Sequence, residues 1–297
     1  MAITIENNIR SDNCPLCHSK DIYFTGALLK YSTPLYFSSE EIRLEEDPEM
    51  YRCRSCDSGF IQNIISESDF HSLYEKGNSA AVWSNTPFDD DKTKQVKSEL
   101  QKLFFQGASV LDVGCNVGML LDYCKQSGCR TAGVELSESS RLILQQKQHS
   151  VYSTIESISE KFDIIFAFDF IEHLHAVPAF MTSVASMLND GGKCMILTGN
   201  INSISARLCK GKWWYILTPE HIVFPSRNYF DSLKDYMLEK FIPVYNAINY
   251  KYSFFKMIRG IAGNLILKNS YNGTPSIGPD HMLVILTKIN QPVDNCL

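Results

Sequence analysis

The run Val110-Leu111-Asp112-Val113-Gly114-Cys115-Asn116-Val117-Gly118-Met119-Leu120-Leu121 constrains this chain more than any other. Its apolar, β-branched start reads as a buried strand and its glycines as a tight turn, and Met119 to Gln126 has the apolar spacing of a helix. A strand that passes through a glycine turn into a helix brings bare backbone N–H groups to a helix N-terminus. A cofactor can approach closely there.

The glycine spacing narrows the choice of cofactor. Dinucleotide folds use G-x-G-x-x-G, whose second glycine lets the backbone reach a pyrophosphate. Here that middle position is Asn116 and the pattern is D-x-G-x-x-x-G, which weighs against a nicotinamide oxidoreductase. The pattern resembles the first motif of the class I S-adenosylmethionine (SAM)-dependent methyltransferases. The resemblance implies that Asp112, Gly114, Cys115 and Gly118 surround the amino acid end of SAM. A second buried strand, Thr131 to Leu136, carries Glu135 23 positions beyond Asp112. A carboxylate there can accept both ribose hydroxyls of a nucleoside; the structural alternative is an acid at a helix N-terminus near Ser137.

Ser139 to Gln148 continues as helix and Val151 to Ile155 as a short strand. Glu156 and Ser157 follow, where this family often places residues beside the adenine. Lys161 to Asp169 is a clearer strand. It leads into Phe170-Ile171-Glu172-His173-Leu174, a helix containing Phe180, Val184 and Leu188, the turn at Gly191-Gly192, and the strand Cys194 to Thr198. This succession over residues 109–199 is similar to the methyltransferase family across a long span. Alternating strands and helices give a parallel sheet with ligands at the strand carboxyl ends, near a topological switch. Asp112, Glu135, Asp169 and Gly199 all fall on that rim, and Asp169 joins the expected cofactor set. The expected fold is α/β, a Rossmann-like, doubly wound, mostly parallel seven-stranded sheet spanning residues 89–297. For Glu172 and His173, helix capping and interior hydrogen bonding stand against a direct catalytic role.

Two cysteine pairs, Cys14-Pro-Leu-Cys17 and Cys53-Arg-Ser-Cys56, precede this region among ten cysteines in all. Each C-x-x-C turn can offer two thiolates to one ion, and two such turns complete a tetrahedral site. Residues 1–65 therefore read as a small zinc-binding module. Four thiolates leave no open coordination position, so the Zn2+ would be structural. The 35 residues between Cys17 and Cys53 imply an insertion, whose acidic run Glu40 to Glu49 reads as solvated surface. His18 and Asp57 stand where zinc knuckles often carry glycine. Paired structural thiols are the plainer alternative, and no thioredoxin-like unit surrounds either pair to support a redox role.

Residues 66–88 form a connection containing Tyr74 and Trp83, and Asp89 to Phe105 reads as an amphipathic helix. Beyond Asn200, the aromatic stretch from Trp213 to Phe224 holds Pro219-Glu220-His221. Methyltransferases with two amino-terminal C-x-x-C pairs often have a similar tryptophan-to-Pro-Glu-His segment. They include sugar C-methyltransferases, in which a Glu-His pair lies at the substrate. Carried over by position, His221 becomes the candidate base and Glu220 its partner; Tyr74 is a further candidate, and His173 an alternative base. Substrate-covering insertions are expected around residues 200–230 and 251–278. Strands are expected at Phe241 to Tyr250 and His281 to Ile289, the latter antiparallel, after a last helix. Lys251 to Lys268 is basic and apolar, so membrane contact is weighed but a packed helix is favoured.

A net charge of −5 implies no general attraction to nucleic acid, which weighs against an RNA methyltransferase. Hydrophobic content of 44% and charged content of 21% suit a soluble globular protein, and no apolar run reaches the length of a membrane span. The cytosol is the expected compartment. The reading is a SAM-dependent methyltransferase acting on a small molecule, with a nucleotide-linked sugar or glycan precursor as the expected acceptor. A nonenzymatic zinc-binding adaptor that retained the fold is the alternative. Acceptor atom and oligomeric state are not readable.

Overall fold

The structure, a computed structural model, describes residues 3–27, 35–37, 40–76, 91–245 and 278–289. Near the amino terminus lie six short strands. They are β1 (Ile3–Ile5), β2 (Ile22–Ala27), β3 (Leu35–Phe37), β4 (Glu40–Leu44), β5 (Glu49–Cys53) and β6 (Gly59–Gln62). β5 and β6 form an antiparallel pair across the second cysteine turn, and β4 lies between β1 and β3. The acidic run is thus more than solvated surface, because β4 and the start of β5 fall within it. Strand alternation turns Ile42 inward to full burial beside Ile5, Phe37 and Phe70. Helix α1 (Glu67–Lys76) begins where Ser66 Oγ accepts the Asp69 N–H at 3.0 Å, and it buries Phe70 and Leu73.

The larger unit starts with α2 (Asp91–Leu103), whose Val96 and Leu100 are fully buried. It continues through β7 (Ser109–Val113), α3 (Met119–Gln126), β8 (Arg130–Val134), α4 (Glu138–Gln146), β9 (Ser150–Tyr152) and β10 (Phe162–Phe168). Then come α5 (Val177–Met187), β11 (Leu188–Gly199), α6 (Ile204–Cys209), β12 (Val223–Phe224), α7 (Arg227–Asp231), β13 (Tyr236–Val244) and β14 (His281–Lys288). Among the described residues the last helix is α7, a short one. The strand expected from Phe241 begins earlier, at Tyr236, because antiparallel pairing with β14 continues past an irregularity between Leu238 and Lys240. Residues 246–250 of that expectation lie outside the described residues. So do Trp83 and the basic stretch 251–268, and the 251–278 insertion apart from Gly278.

Seven strands form the main sheet in the order β13-β14-β11-β10-β7-β8-β9, with β14 antiparallel to both neighbours. From β7 the chain steps outward through β8 to β9, then returns to place β10 on the other side of β7. That reversal is the switch point, where adjacent crossovers leave a crevice at the strand carboxyl ends. Side chains alternate across the sheet. Val110, Ile164, Phe166 and Leu283 meet α2, α3 and α4 on one face. On the other, Leu111, Ile165, Ile196 and Val284 share a buried cluster with α5, and with Cys14, Cys53, Cys56 and Phe60. The cysteine turns are therefore part of the packing on this second face. Strand β12 also joins them, pairing Val223 with Phe60 and Phe224 with Gly59. Among the described residues, no helix is long and apolar enough to cross a membrane.

Candidate active site

The glycine turn after β7 adopts left-handed backbone at Gly114 (φ 76°), Asn116 (φ 47°) and Gly118 (φ 79°). A Cβ on Gly114 would lie 2.5 Å from the Phe170 ring, and one on Gly118 would lie 2.4 Å from Leu144, so both positions need glycine. Asn116 meets the same backbone demand because asparagine tolerates this region. Its N–H donates to Glu135 Oε2 at 2.9 Å, and the Ser137 N–H donates to Glu135 Oε1 at 2.8 Å. Glu135 therefore ties the glycine turn to the start of α4 while standing at the end of β8. Asp112, in the middle of the sheet, is 5% exposed. Burial, with the nearby negative charge of Glu135, pushes its carboxyl up to about 8. Burial also raises Glu135, against the opposing effect of its two N–H donors. Cys115 is buried below the turn, against Gly133. Glu156 and Ser157 form an exposed single turn after β9.

Asp169, immediately after β10, has a left-handed backbone (φ 47°), an uncommon state for a non-glycine residue and one that collects at functional sites. Its N–H is held by Leu197 O at 2.7 Å. Its carboxylate meets Lys92 Nζ at 2.5 Å, with Tyr215 Oη at 3.5 Å and His281 Nε2 at 3.9 Å. Although burial opposes it, the charges of Lys92 and His281 hold this carboxyl below its ordinary range.

Next to it lies a cluster of aromatic and titratable groups. Glu172 is fully buried; it accepts from Thr198 Oγ1 at 2.9 Å and from the Tyr215 hydroxyl. Its role in the interior hydrogen bonding is thus explicit. His221 is 6% exposed, and its Nδ1 lies 2.6 Å from the Tyr215 carbonyl. A carbonyl only accepts, so Nδ1 carries the proton and Nε2 keeps its lone pair. His173 is held likewise, by the Glu220 carbonyl at 2.9 Å, with Tyr74 Oη 3.3 Å from the same nitrogen. The two imidazoles meet edge to face at 4.7 Å between centroids. Burial, and then the neighbouring His173, keep His221 well below its usual pKa. The structure thus gathers His221, Glu220, His173, Glu172 and Tyr74 in one place. The group that fixes the His221 ring is the Tyr215 carbonyl.

Tyr215, Thr198, Lys92 and His281 were absent from the expected site. Strand pairing brings in Thr198 and His281, and tertiary packing brings in Lys92 from α2 and Tyr215 from the segment after α6. A Cβ on Gly199 would lie 2.2 Å from the Tyr215 ring, so that glycine makes room for the tyrosine. His281 faces Gly199 across the β11–β14 pair. An antiparallel strand delivers its first residue to the rim, where a parallel one delivers its last.

The four sulfurs of Cys14, Cys17, Cys53 and Cys56 lie within 4.8 Å of one another. Cys14 and Cys56 are 3.7 Å apart and Cys17 and Cys53 3.5 Å apart. Tetrahedral zinc with Zn–S bonds of about 2.3 Å separates its ligands by about 3.8 Å, so the donor set and spacing fit such an ion. The residues after each turn, His18 (φ 60°) and Asp57 (φ 58°), adopt the left-handed backbone that glycine would otherwise supply.

The strand order and the glycine-turn rim are those of the Rossmann-like SAM-dependent methyltransferases. The methyltransferase-domain family matches residues 88–237, half of the chain, and the chain belongs to that family. Over 107 residues it is 34% identical to a ubiquinone biosynthesis O-methyltransferase of Bradyrhizobium diazoefficiens, covering 32% of this chain and 42% of that relative. Over 112 residues it is 29% identical to a protein of the same name from Coxiella burnetii, covering 34% and 48%. The match thus spans less than half the length of these relatives. Among solved structures, the N-methyltransferase NodS from Bradyrhizobium japonicum in complex with S-adenosyl-L-homocysteine aligns with a TM-score of 0.48 and 12% identity. That alignment covers 75% of this chain and 98% of NodS.

Proposed function

We propose that this chain transfers the methyl group of SAM to a small-molecule acceptor, with His221 as the base that receives the acceptor's proton. The observation that carries the reading is the meeting, at Asp169, of two different halves of one rim. On one side are a buried acid, Asp112, and a half-buried one, Glu135, beside a glycine turn; on the other is a neutral imidazole held in a single tautomer. Asp112, Gly114, Cys115 and Gly118 would hold the amino acid end of SAM, Glu135 the ribose, Glu156 and Ser157 the adenine edge, and Asp169 the boundary with the acceptor. Bound there, SAM supplies an electrophilic methyl on a sulfonium. The protein's own work is to align the acceptor and remove one proton, which passes to His221 Nε2. Glu220 supports the base from the preceding position, and Tyr74 steadies His173.

The acceptor we propose is a nucleotide-linked sugar or glycan precursor. Support comes from the conjunction of two C-x-x-C turns with the Pro219-Glu220-His221 segment. A ubiquinone precursor is the second reading, favoured by the names of the relatives. Labelled SAM should be incubated with a panel of nucleotide sugars and ubiquinone precursors, and the products identified by mass spectrometry. A methylated nucleotide sugar is expected. Methylation of the ubiquinone precursors alone would replace the acceptor assignment, and SAM binding with no product from any acceptor would favour the adaptor reading.

We also propose that Cys14, Cys17, Cys53 and Cys56 hold one structural Zn2+. Elemental analysis of carefully purified protein should find about one zinc per chain. Metal-free protein with its thiols free or oxidised would remove this assignment.

The pH profile follows from the state of His221. Its neutral form is the active one, and its pKa lies below the ordinary value of about 6.5. As pH falls from 7, kcat/KM should therefore hold through 6.5 and decline only at the depressed pKa. An acid limb at or above 6.5 would show that another group, or an unshifted histidine, controls the reaction.

A further inference from the structure

We propose that the second cysteine turn, Cys53 to Ser58, positions His221, so that metal in the four-cysteine site fixes the acceptor-side wall while leaving the cofactor rim independent. The inference rests on the four cysteines being a metal site. It needs His221 only as an acceptor-side residue, whether or not its imidazole is the base.

Three connections run from the cysteine sheet to the segment carrying His221. The first passes through Ile222, the next residue along. Its N–H donates to Glu172 O at 2.8 Å, and its carbonyl accepts from Ile61 N–H at 2.8 Å. One residue thus bridges the cluster around His221 and β6. The second lies four residues further on, where the Ser226 N–H donates to Ser58 Oγ at 3.0 Å and the Ser226 hydroxyl donates to the Cys56 carbonyl. The third is at the other end of the segment. Arg52 donates to Asn202 Oδ1 at 2.5 Å and to Asp57 Oδ1 at 2.7 Å, joining the start of the acceptor-side wall to the turn itself. Midway, Gly211 packs so closely on β2 that a Cβ there would lie 2.9 Å from Ala27 O. The cysteine sheet therefore holds this wall at its start, its middle and its end.

The cofactor rim is held differently. Gly114 and Cys115 donate to Val134 O, and Glu135 N–H to Tyr152 O, all within β7, β8 and β9 and their turns. A metal ion would join two turns that are 35 residues apart in sequence, and its loss would loosen β6 first. Exchange at Ile61 and Ile222 should report this directly, since both amides lie in that path.

Hydrogen–deuterium exchange and SAM calorimetry on the full chain, zinc-loaded and after chelation under reducing conditions, test the idea. Chelation should speed exchange in peptides covering residues 53–62 and 200–226 by roughly tenfold or more, with β7 and β8 unchanged. SAM affinity should stay within about twofold, and added zinc should restore the slow exchange. Because chelation can unfold more than intended, Ser58→Ala supplies a second arm. It should retain zinc yet show faster exchange in residues 200–226. Unchanged exchange there in both arms, or opening of β7 and β8 at the same rate as β6, would overturn the proposal. A protein that neither contains nor responds to zinc would overturn it together with the metal assignment. Normal turnover in His221→Ala would remove the base and leave the exchange result standing.

Discussion

His221→Ala is expected to reduce turnover by roughly 10²–10⁴-fold, the range for a positioned acid–base group. The substitution removes the lone pair at Nε2 that the Tyr215 carbonyl preserves by holding the proton on Nδ1. SAM affinity should barely change, because the rim around Asp112 and Glu135 is bonded within β7, β8, β9 and their turns. A purely structural histidine would behave differently. His221 packs against Tyr215 at 4.6 Å and His173 at 4.7 Å between ring centroids, so its loss leaves a cavity and takes one of two donors from the Tyr215 carbonyl, which keeps the Leu217 N–H at 3.0 Å. That would lower stability by about 1–3 kcal/mol while the folded fraction worked at nearly normal speed. Turnover per folded, SAM-bound molecule separates the two, with thermal melting and calorimetry supplying the correction. Normal turnover on that basis would shift attention to His173, whose Nδ1 lies 2.9 Å from the Glu220 carbonyl. Glu220→Gln should have a smaller effect than His221→Ala, since a backbone carbonyl already orients the ring.

Glu135→Ala is expected to weaken SAM binding by about 1–3 kcal/mol, or roughly 5–150-fold in Kd. Two losses combine in that figure. A charged acceptor for the ribose hydroxyls disappears, and the Asn116 and Ser137 N–H groups lose the carboxylate that ties the glycine turn to α4. The second loss would also loosen a turn in which Asn116 holds a left-handed backbone. Calorimetric titration checks it on protein shown to be folded. Unchanged affinity would place the ribose site elsewhere and leave Glu135 as a brace for the turn.

Local chemistry made the glycine-turn side of the rim legible. β-branched strands, two glycines in obligatory left-handed turns and acids at strand ends are short-range features, and Asp112, Glu135 and Asp169 reach the rim as the strand order requires. The His221 side of the rim depends on pairing and packing that short-range pattern does not encode. β12 is two residues long and finds its partner in β6, far back along the chain, so its place in the cysteine sheet was invisible. Tyr215 looked like one aromatic among several until its hydroxyl met Glu172 and its carbonyl met His221. His281 enters because β14 runs antiparallel, which brings a strand's start to the rim. His18 and Asp57 were visible as departures from glycine, but their left-handed backbone was not. The acidic run misled because charge suggests solvent, whereas alternation through Ile42 made strand.

On the proposed function, a methyl group leaves SAM on this protein and reaches a small molecule. The most direct test follows the label from methyl-labelled SAM, with purified protein and the acceptor panel, while S-adenosylhomocysteine is counted in parallel. One labelled methyl on an acceptor for each S-adenosylhomocysteine formed, abolished when the acceptor is omitted and strongly reduced by His221→Ala, is the expected result. Tight SAM binding without acceptor-dependent S-adenosylhomocysteine across the whole panel would contradict it.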